Sequence, residues 1–426
     1  MKTLIWNNLT ADGRRSALAR PTARADETLV SAVKAILDDV ERRGADAVNH
    51  WSQLLDGVPA ARVDLDPGVV ASARAKLSRE DIEAIEIAAE NIMRYHEETK
   101  PADSVVDFEC GLQCRRVFRP IPSCGLYVPG GTAPLFSTLL MLALPAKAAG
   151  VNDRIVVTPP SRRGETDPVM ITAGALSQLD AIWLVGGAQA IGALAFGALL
   201  PKAVKIFGPG NAYVAEAKRQ IAARGAAAID LPAGPSELMV IADQGADAST
   251  VAADLLGQAE HDANAQVILA TPSGEFAARV RGAIAEQLRE MPRRDVAEAA
   301  LDQSKLIIVR DLHEAAEIAN LYAPEHLALH AADGEGLAAR IENAGAVFIG
   351  AASAEAFGDY LCGPSHVLPT DGAARVFSGV TTGSFMKSMS LQRLTPSGAR
   401  SLATTAARLA RLEGLEAHAR SAERRL

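Results

Sequence analysis

The sequence has little cysteine. Four residues, Cys110, Cys114, Cys124 and Cys362, are spread over a chain of 426. None forms a CxxC pair, and the step from Cys110 to Cys114 has no second pair near it. This excludes a disulfide framework and a cysteine-rich zinc module, and it implies reduced thiols in the cytoplasm. Positive charge is also in deficit. Lys plus Arg number 43 against 51 Asp plus Glu, a net charge of −8, which argues against a general binder of nucleic-acid backbones. The N-terminus, MKTLIWNNLTADGRR, holds an apolar stretch too short for a secretory signal. No solenoid repeat, low-complexity tract or GxGxxG fingerprint occurs. The run 181–201 carries no charge and has the length of a membrane span, but it contains Gly186, Gly187, Gly192 and Gly197. A buried strand, a glycine turn and a buried helix give the same pattern, and charged amphipathic segments on both sides favour that reading over a membrane span.

What is present is globular: 49% apolar and 22% charged residues. Residues 26–43 space Leu29, Val30, Val33, Ile36, Leu37 and Val40 as one helical face, closed by Gly44. Ser78 with Asp81 three residues on predicts a capped helix running toward His96. Residues 101–126 read as strands and turns. Beyond them come seven Val- and Ile-rich runs, at 154–158, 181–185, 203–207, 238–242, 266–270, 305–309 and 345–349. Helical stretches such as 211–223, 248–259 and 311–321 lie between them. That alternation predicts an α/β fold with parallel sheets covered by helices. Two lobes meeting at a cleft fit the length better than one large sheet. After about residue 379 no further strand is expected, and 395–426 reads as a helical tail that packs on something else, such as a partner chain.

Eight histidines are present, and context separates them. Gln258 and His261 are three apart before a strand; on a helix they would share a face and offer one oxygen and one nitrogen to a borderline divalent ion such as Zn²⁺. A polar helix end would look the same. Glu325 and His326 follow Pro324 in YAPEHL, a carboxylate and an imidazole suited to activating water and accepting a proton; a charged turn capping a helix is the alternative. GDYLCGPSH offers Asp359 as a hard oxygen ligand, with His366 nearby. His418 is stranded in the tail unless the tail reaches a site. Three glycine turns, YVPGG (127–131), VGGAQAIG (185–192) and FGPGNAY (207–213), stand out. The last two open helices, whose free N–H groups suit an anion, though plain strand–helix turns would look similar.

These segments together resemble the histidinol dehydrogenase family. The resemblance is carried by GLYVPGGTAPLFSTLLMLALPAKAAG (125–150), VGGAQAIGALAFG (185–197), IFGPGNAYVAEAKRQ (206–220), DLPAGPSELMVIAD (230–243), QAEHD (258–262), APEHL (323–327), GDYLCGPSHVLPT (358–370) and EGLEAHA (413–419). It implies an NAD-dependent, four-electron oxidation of L-histidinol through the aldehyde to L-histidine in histidine biosynthesis. It implies one Zn²⁺ per subunit held by Gln258, His261, Asp359 and His418, the last from a partner subunit, in an intertwined homodimer. The acid and base would be Glu325 and His326. Substrate contacts would be Ser236, Gln258, His261, His326, Asp359, Glu413 and His418, and NAD contacts Tyr127, Gln189 and Asn211. The implied fold is two incomplete Rossmann-like lobes with small extensions: an N-terminal arm (1–22), a first lobe carrying most site residues (23–126 and 236–378), an NAD-binding second lobe (127–235) and a helical extension reaching the partner (379–426). Neither nucleic acid nor membrane is an expected partner. A sister zinc- and NAD-dependent dehydrogenase of another amino alcohol or polar diol competes with this reading, as does a zinc hydrolase using Glu325 on metal-bound water.

Overall fold

The computed structural model describes residues 1–21, 27–130, 134–161, 165–231 and 234–426. The expected boundary between 22 and 23, Asp26 of the first long helix and Gly131 of the first glycine turn lie outside the described residues. Among those described there are fifteen strands: β1 (Lys2–Ile5), β2 (Ala61–Asp64), β3 (Ser104–Asp107), β4 (Leu112–Pro120), β5 (Ser123–Tyr127), β6 (Asp153–Thr158), β7 (Ala181–Leu184), β8 (Lys205–Phe207), β9 (Ala228–Ile229), β10 (Glu237–Ala242), β11 (Gln266–Thr271), β12 (Lys305–Ile308), β13 (His326–His330), β14 (Ala346–Ile349) and β15 (Met386–Leu394). Each of the seven apolar runs became a strand.

The first sheet is six-stranded and wholly parallel, in the order β1-β12-β11-β10-β13-β14. Its central strands are apolar on both faces because both are covered. Val240 and Leu269 pack with Leu255 of helix Ala248–Ala259 on one side. Met239 and Ile268 pack with Ile318 of helix Leu312–Tyr322 on the other. A side-chain period of two sends neighbours to opposite faces, and each large aliphatic so buried contributes about 1.5–3 kcal/mol. The second sheet runs β2-β7-β6-β5-β8-β9, parallel except for β2 at its edge. In both sheets the chain leaves a central strand in one direction and later returns to that strand's other side. The resulting switch points are β10/β13 and β5/β8.

Three expectations differ from these observations. Residues 23–126 were grouped with 236–378, yet β2 and β5 from that stretch belong to the second sheet. Helix Glu27–Arg43 also packs there, with Leu37 and Val40 against Gly192, where an added Cβ would lie only 3.2 Å from either side chain. Helical spacing shows that a face is apolar but not which sheet it will cover. The arm 1–22 likewise begins as a strand, β1, paired to β12. Finally, strands do not stop at residue 379. The nine-residue β15 pairs antiparallel with β4 in a third sheet, β15-β4-β3. Its residues are nearly all exposed, so it lacks the buried alternation that marks a strand in sequence. Helices Pro396–Leu412 and Glu416–Glu423 complete the tail. Among the described residues, no helix is long and apolar enough to cross a membrane; the uncharged run 181–201 begins with β7, a glycine turn and helix Gly187–Phe196.

Candidate active site

The chemistry-bearing residues gather at the amino-terminal edge of the first sheet, at its switch point. Helix Leu312–Tyr322 ends in Ala323 with a left-handed backbone (φ +51°). Pro324 follows, then Glu325, and His326 opens β13 between β10 and β14. The Glu325 carbonyl accepts from Ala346 N–H at 2.9 Å. Gly345 lies so close to that carbonyl that an added Cβ would stand 2.5 Å from the oxygen, so the position requires glycine. Glu325 and His326 are both buried. The Glu325 carboxylate accepts from Glu237 N–H at 3.0 Å, and His326 Nδ1 lies 3.3 Å from the Glu237 carbonyl. This is a buried strand opening, not the charged helix-capping turn that sequence left open.

Around His326 stand carboxylates. Its Nδ1 lies 3.4 Å from Glu355 Oε1 and 3.7 Å from Glu325 Oε2, and its Nε2 lies 3.9 Å from Asp359 Oδ1. Glu355 and Asp359 occupy helix Glu355–Tyr360, four residues apart and therefore on one face. His366 Nδ1 lies 2.8 Å from the Asp359 carbonyl and its Nε2 lies 3.2 Å from Thr138 Oγ1, fastening this helix to helix Phe136–Ala149. Burial pushes the His326 imidazole down to about 4; Asp359 opposes that, while His366 and His261 are near enough to add to it. Burial also holds the Glu325 carboxyl well above the usual range, against the Glu237 N–H bond that lowers it. Glu355 is raised by burial and then by Asp359, Glu325 and Asp254. Both Glu355 oxygens and His326 Nε2 are buried without a hydrogen-bond partner.

Sequence reasoning missed Glu355 and Glu237. The signal for Glu355 was its four-residue spacing to Asp359 in EAFGDY. Glu237 carried none, because it acts on the pair chiefly through its backbone.

Gln258 and His261 do not share a helical face. The helix ends at Ala259, and His261 N–H bonds the Gln258 carbonyl at 3.2 Å in a turn. Asp262 closes that turn by accepting from Asn264 N–H. Gln258 is buried with its Oε1 unpartnered, whereas His261 is exposed. Helix Ala248–Ala259 packs against helix Glu355–Tyr360, so the Gln258 end and Asp359 belong to neighbouring elements. Ser236 directly precedes β10, its carbonyl accepting from Gln266 N–H at 3.0 Å. Glu413 and His418 lie on the exposed tail. Among the described residues, no hydrogen bond or ion pair joins either to the His326 cluster.

The other three expected residues meet at the carboxyl edge of the second sheet. Tyr127 ends β5, and its hydroxyl accepts from Gly187 N–H at 3.2 Å. Gln189, fully buried, donates to Asp56 Oδ2 at 3.1 Å and leaves Oε1 unpartnered. Asn211 caps helix Ala212–Ala223, accepting from Tyr213 and Val214 N–H. The intervening Gly208 (φ +114°) comes so close to the Tyr127 carbonyl that no side chain fits. A buried Lys218–Asp230 pair holds this turn through Gly208 N–H and carbonyl.

A divalent cation fits the first edge. Gln258 Oε1 is a buried oxygen lacking a partner, and the Asp359 carboxylate and His261 imidazole are of the donor types such an ion takes. A second donor set is His326, Glu355 and Asp359, whose ligand atoms all lie within 4.8 Å of one another. The two sets share Asp359. All four cysteines are free and none belongs to either set.

The chain matches the family model described as histidinol dehydrogenase over residues 18–426. It is 43% identical over 427 residues to the histidinol dehydrogenase of Xanthomonas campestris pv. campestris (strain 8004), covering 100% of this chain and 99% of that protein. It is 44% identical over 415 residues to that of Escherichia coli (strain K12), covering 97% and 95%. The crystal structure of histidinol dehydrogenase from Elizabethkingia anophelis superposes with a TM-score of 0.95 at 39% identity, covering 100% and 98%.

Proposed function

We propose, from the premise that this chain belongs to the histidinol dehydrogenase family, a division of work among the residues of its two sheet edges. The activity is the family's oxidation of histidinol in histidine biosynthesis. Its course here is L-histidinol to aldehyde to L-histidine, with two NAD⁺ reduced.

His326 is the base. An imidazole held near pKa 4 is neutral at pH 7, so it can accept the alcohol proton as hydride departs. Glu325 sits beside it, its carboxyl raised by burial, which makes the carboxylate a stronger base than an exposed one. It deprotonates the water that adds to the aldehyde while the proton held by His326 passes to the aldehyde oxygen, and the neutral His326 then takes the hydrate's proton in the second oxidation. The Glu237 N–H and carbonyl fix both groups. The observation that carries this reading is the buried Glu325–His326 pair opening β13 at the switch point.

Zn²⁺ would be held by Gln258, His261 and Asp359 with His418 of the partner subunit, and when bound it supplies a Lewis-acid anchor for the substrate's nitrogen donors. Ser236 and Glu413 would contact the same substrate. The exposed Leu409, Leu412 and Leu415 around Glu413 support a homodimer that covers the tail and completes a neighbour's site. NAD, when bound, accepts hydride; Tyr127, Gln189 and Asn211 would hold it across the β5/β8 switch point, where α/β sheets accept dinucleotides. On this reading the lobe built on the second sheet is the NAD lobe and the first carries the chemistry. The reduced cysteines support a cytoplasmic location.

The test is stoichiometry. Histidinol supplied in limiting amount should yield two equivalents of NADH, and a chelator should abolish the yield. One equivalent with accumulated aldehyde, or no NADH at all, would contradict the proposal; the second outcome is what a zinc hydrolase predicts.

A further inference from the structure

The acid–base pair is held through Glu237, and Glu237 is held by a residue from far away in the chain. Arg20, next to the last described residue before 22, reaches the amino edge of the first sheet and grips the Glu237 carboxylate with two nitrogens, Nε on Oε1 and Nη2 on Oε2 at 2.8 Å. Nη2 also donates to the carbonyls of Tyr322 at 2.7 Å and Ala323 at 3.3 Å, and the guanidinium lies 4.1 Å from the centre of the Tyr322 ring. Arg20 is 15% and Glu237 3% exposed at the side chain, so the pair is largely shielded from water. The network closes on itself. Tyr322 Oη donates to Gln266 Oε1 at 2.8 Å, and Gln266 Nε2 donates to the carbonyl of Ala19, directly before Arg20.

Among the described residues, two of the four non-glycine positions with a left-handed backbone lie on this network: Ala323 (φ +51°) and Asp371 (φ +55°). A non-glycine residue in that region costs on the order of 1–3 kcal/mol and persists only where its surroundings hold it. At Ala323 the hold is Arg20 on its carbonyl. At Asp371 it is a bond from its N–H to Glu237 Oε1 at 2.9 Å. The strained turn at 323 is what aims Glu325 and His326.

We propose that Arg20 is a positioning residue for the Glu325–His326 pair. It acts through Glu237, whose backbone N–H and carbonyl contact the two groups, and through the 322–323 carbonyls, which set the turn that presents them. Arginine is required because one planar fork serves a carboxylate and two carbonyls together, which a lysine ammonium cannot reproduce. The proposal rests on the acid–base reading above.

The experiment compares Arg20→Gln, Arg20→Lys, Arg20→Ala and His326→Asn in the full-length protein. Misplacing a catalytic group by an ångström costs about 100-fold. Arg20→Gln should therefore lose about 30- to 100-fold in kcat, while KM for histidinol and for NAD⁺ moves no more than about threefold. Arg20→Lys should recover only part of the loss. Millimolar methylguanidinium should raise kcat of Arg20→Ala, which a merely weakened fold would not allow. If Arg20→Gln does not fold, Glu237→Gln must show the same split between kcat and KM. Wild-type kcat in Arg20→Gln, or a loss that tracks the unfolded fraction and does not respond to methylguanidinium, overturns the proposal. Should His326→Asn keep its turnover, the acid–base reading falls instead; His326→Asn inactive with Arg20→Gln unimpaired removes the positioning role alone.

Discussion

The two sheet edges are built from similar strands and serve opposite ends. At the amino edge of the first sheet, buried polar atoms are left without partners: both Glu355 oxygens, His326 Nε2 and Gln258 Oε1. At the carboxyl edge of the second sheet most groups are already satisfied: Tyr127 with Gly187, Asn211 with its cap, Lys218 with Asp230 and Gly208. An unpaired buried polar group costs about 1–3 kcal/mol, so the first edge is held out of its own stability optimum by the fold around it. On the proposed reading, that is how the edge that reacts differs from the edge that holds NAD. The second edge presents glycine turns whose form is set by their own hydrogen bonds.

That contrast can be broken by substitution. His326→Asn should lower kcat by about 1,000-fold, within the span expected for a general base, while NAD⁺ affinity, measured by fluorescence titration, stays unchanged. Near-normal turnover would place the chemistry elsewhere. Lys218→Met should do the converse. Leaving Asp230 buried and unpaired should cost about 3 kcal/mol or more of stability and raise KM for NAD⁺, with kcat at saturation nearly retained. A large loss in kcat with unchanged NAD⁺ binding would erase the distinction between the edges.

A third test concerns completeness. Chains carrying His261→Asn and His418→Asn are each expected to be inactive. Mixed, they should regain up to about a quarter of wild-type activity if ligands come from two subunits, because one site in the mixed dimer is intact. No recovery with mixed dimers demonstrated would remove the shared site. The smallest effect is expected at Asn211→Ala: about 1 kcal/mol from the lost helix cap, read as a lower Tm, with a modest rise in KM for NAD⁺.

The sequence revealed some of this directly and hid the rest for physical reasons. Strands buried on both faces announce themselves as continuous apolar runs, which is why 238–242 and 266–270 were legible. β13 was not, because it opens with His326 and closes with His330, whose polarity disguises a fully buried strand. β15 was not, because nearly all its residues are exposed and no buried alternation marks it. At the site, Glu325, His326 and Asp359 were legible as residue types suited to proton transfer and ligation, and they do converge. Gln258 and His261 were legible as a pair, but the helix ends at Ala259, as the pattern over 248–259 predicts, so His261 falls in the turn beyond it. Glu237 and Arg20 were hidden because their roles arise from contacts between residues far apart in the chain, which no local spacing encodes, and Glu355 left only its four-residue spacing to Asp359.

The division of labour between the two adjacent residues is the claim on which the account turns, and pre-steady-state kinetics of Glu325→Gln test it most directly. With saturating NAD⁺ and one equivalent of histidinol, the variant should release its first NADH at close to the wild-type rate. The second, which needs water added to the aldehyde, should be slowed by about 100-fold or more. Equal slowing of both phases would contradict the account.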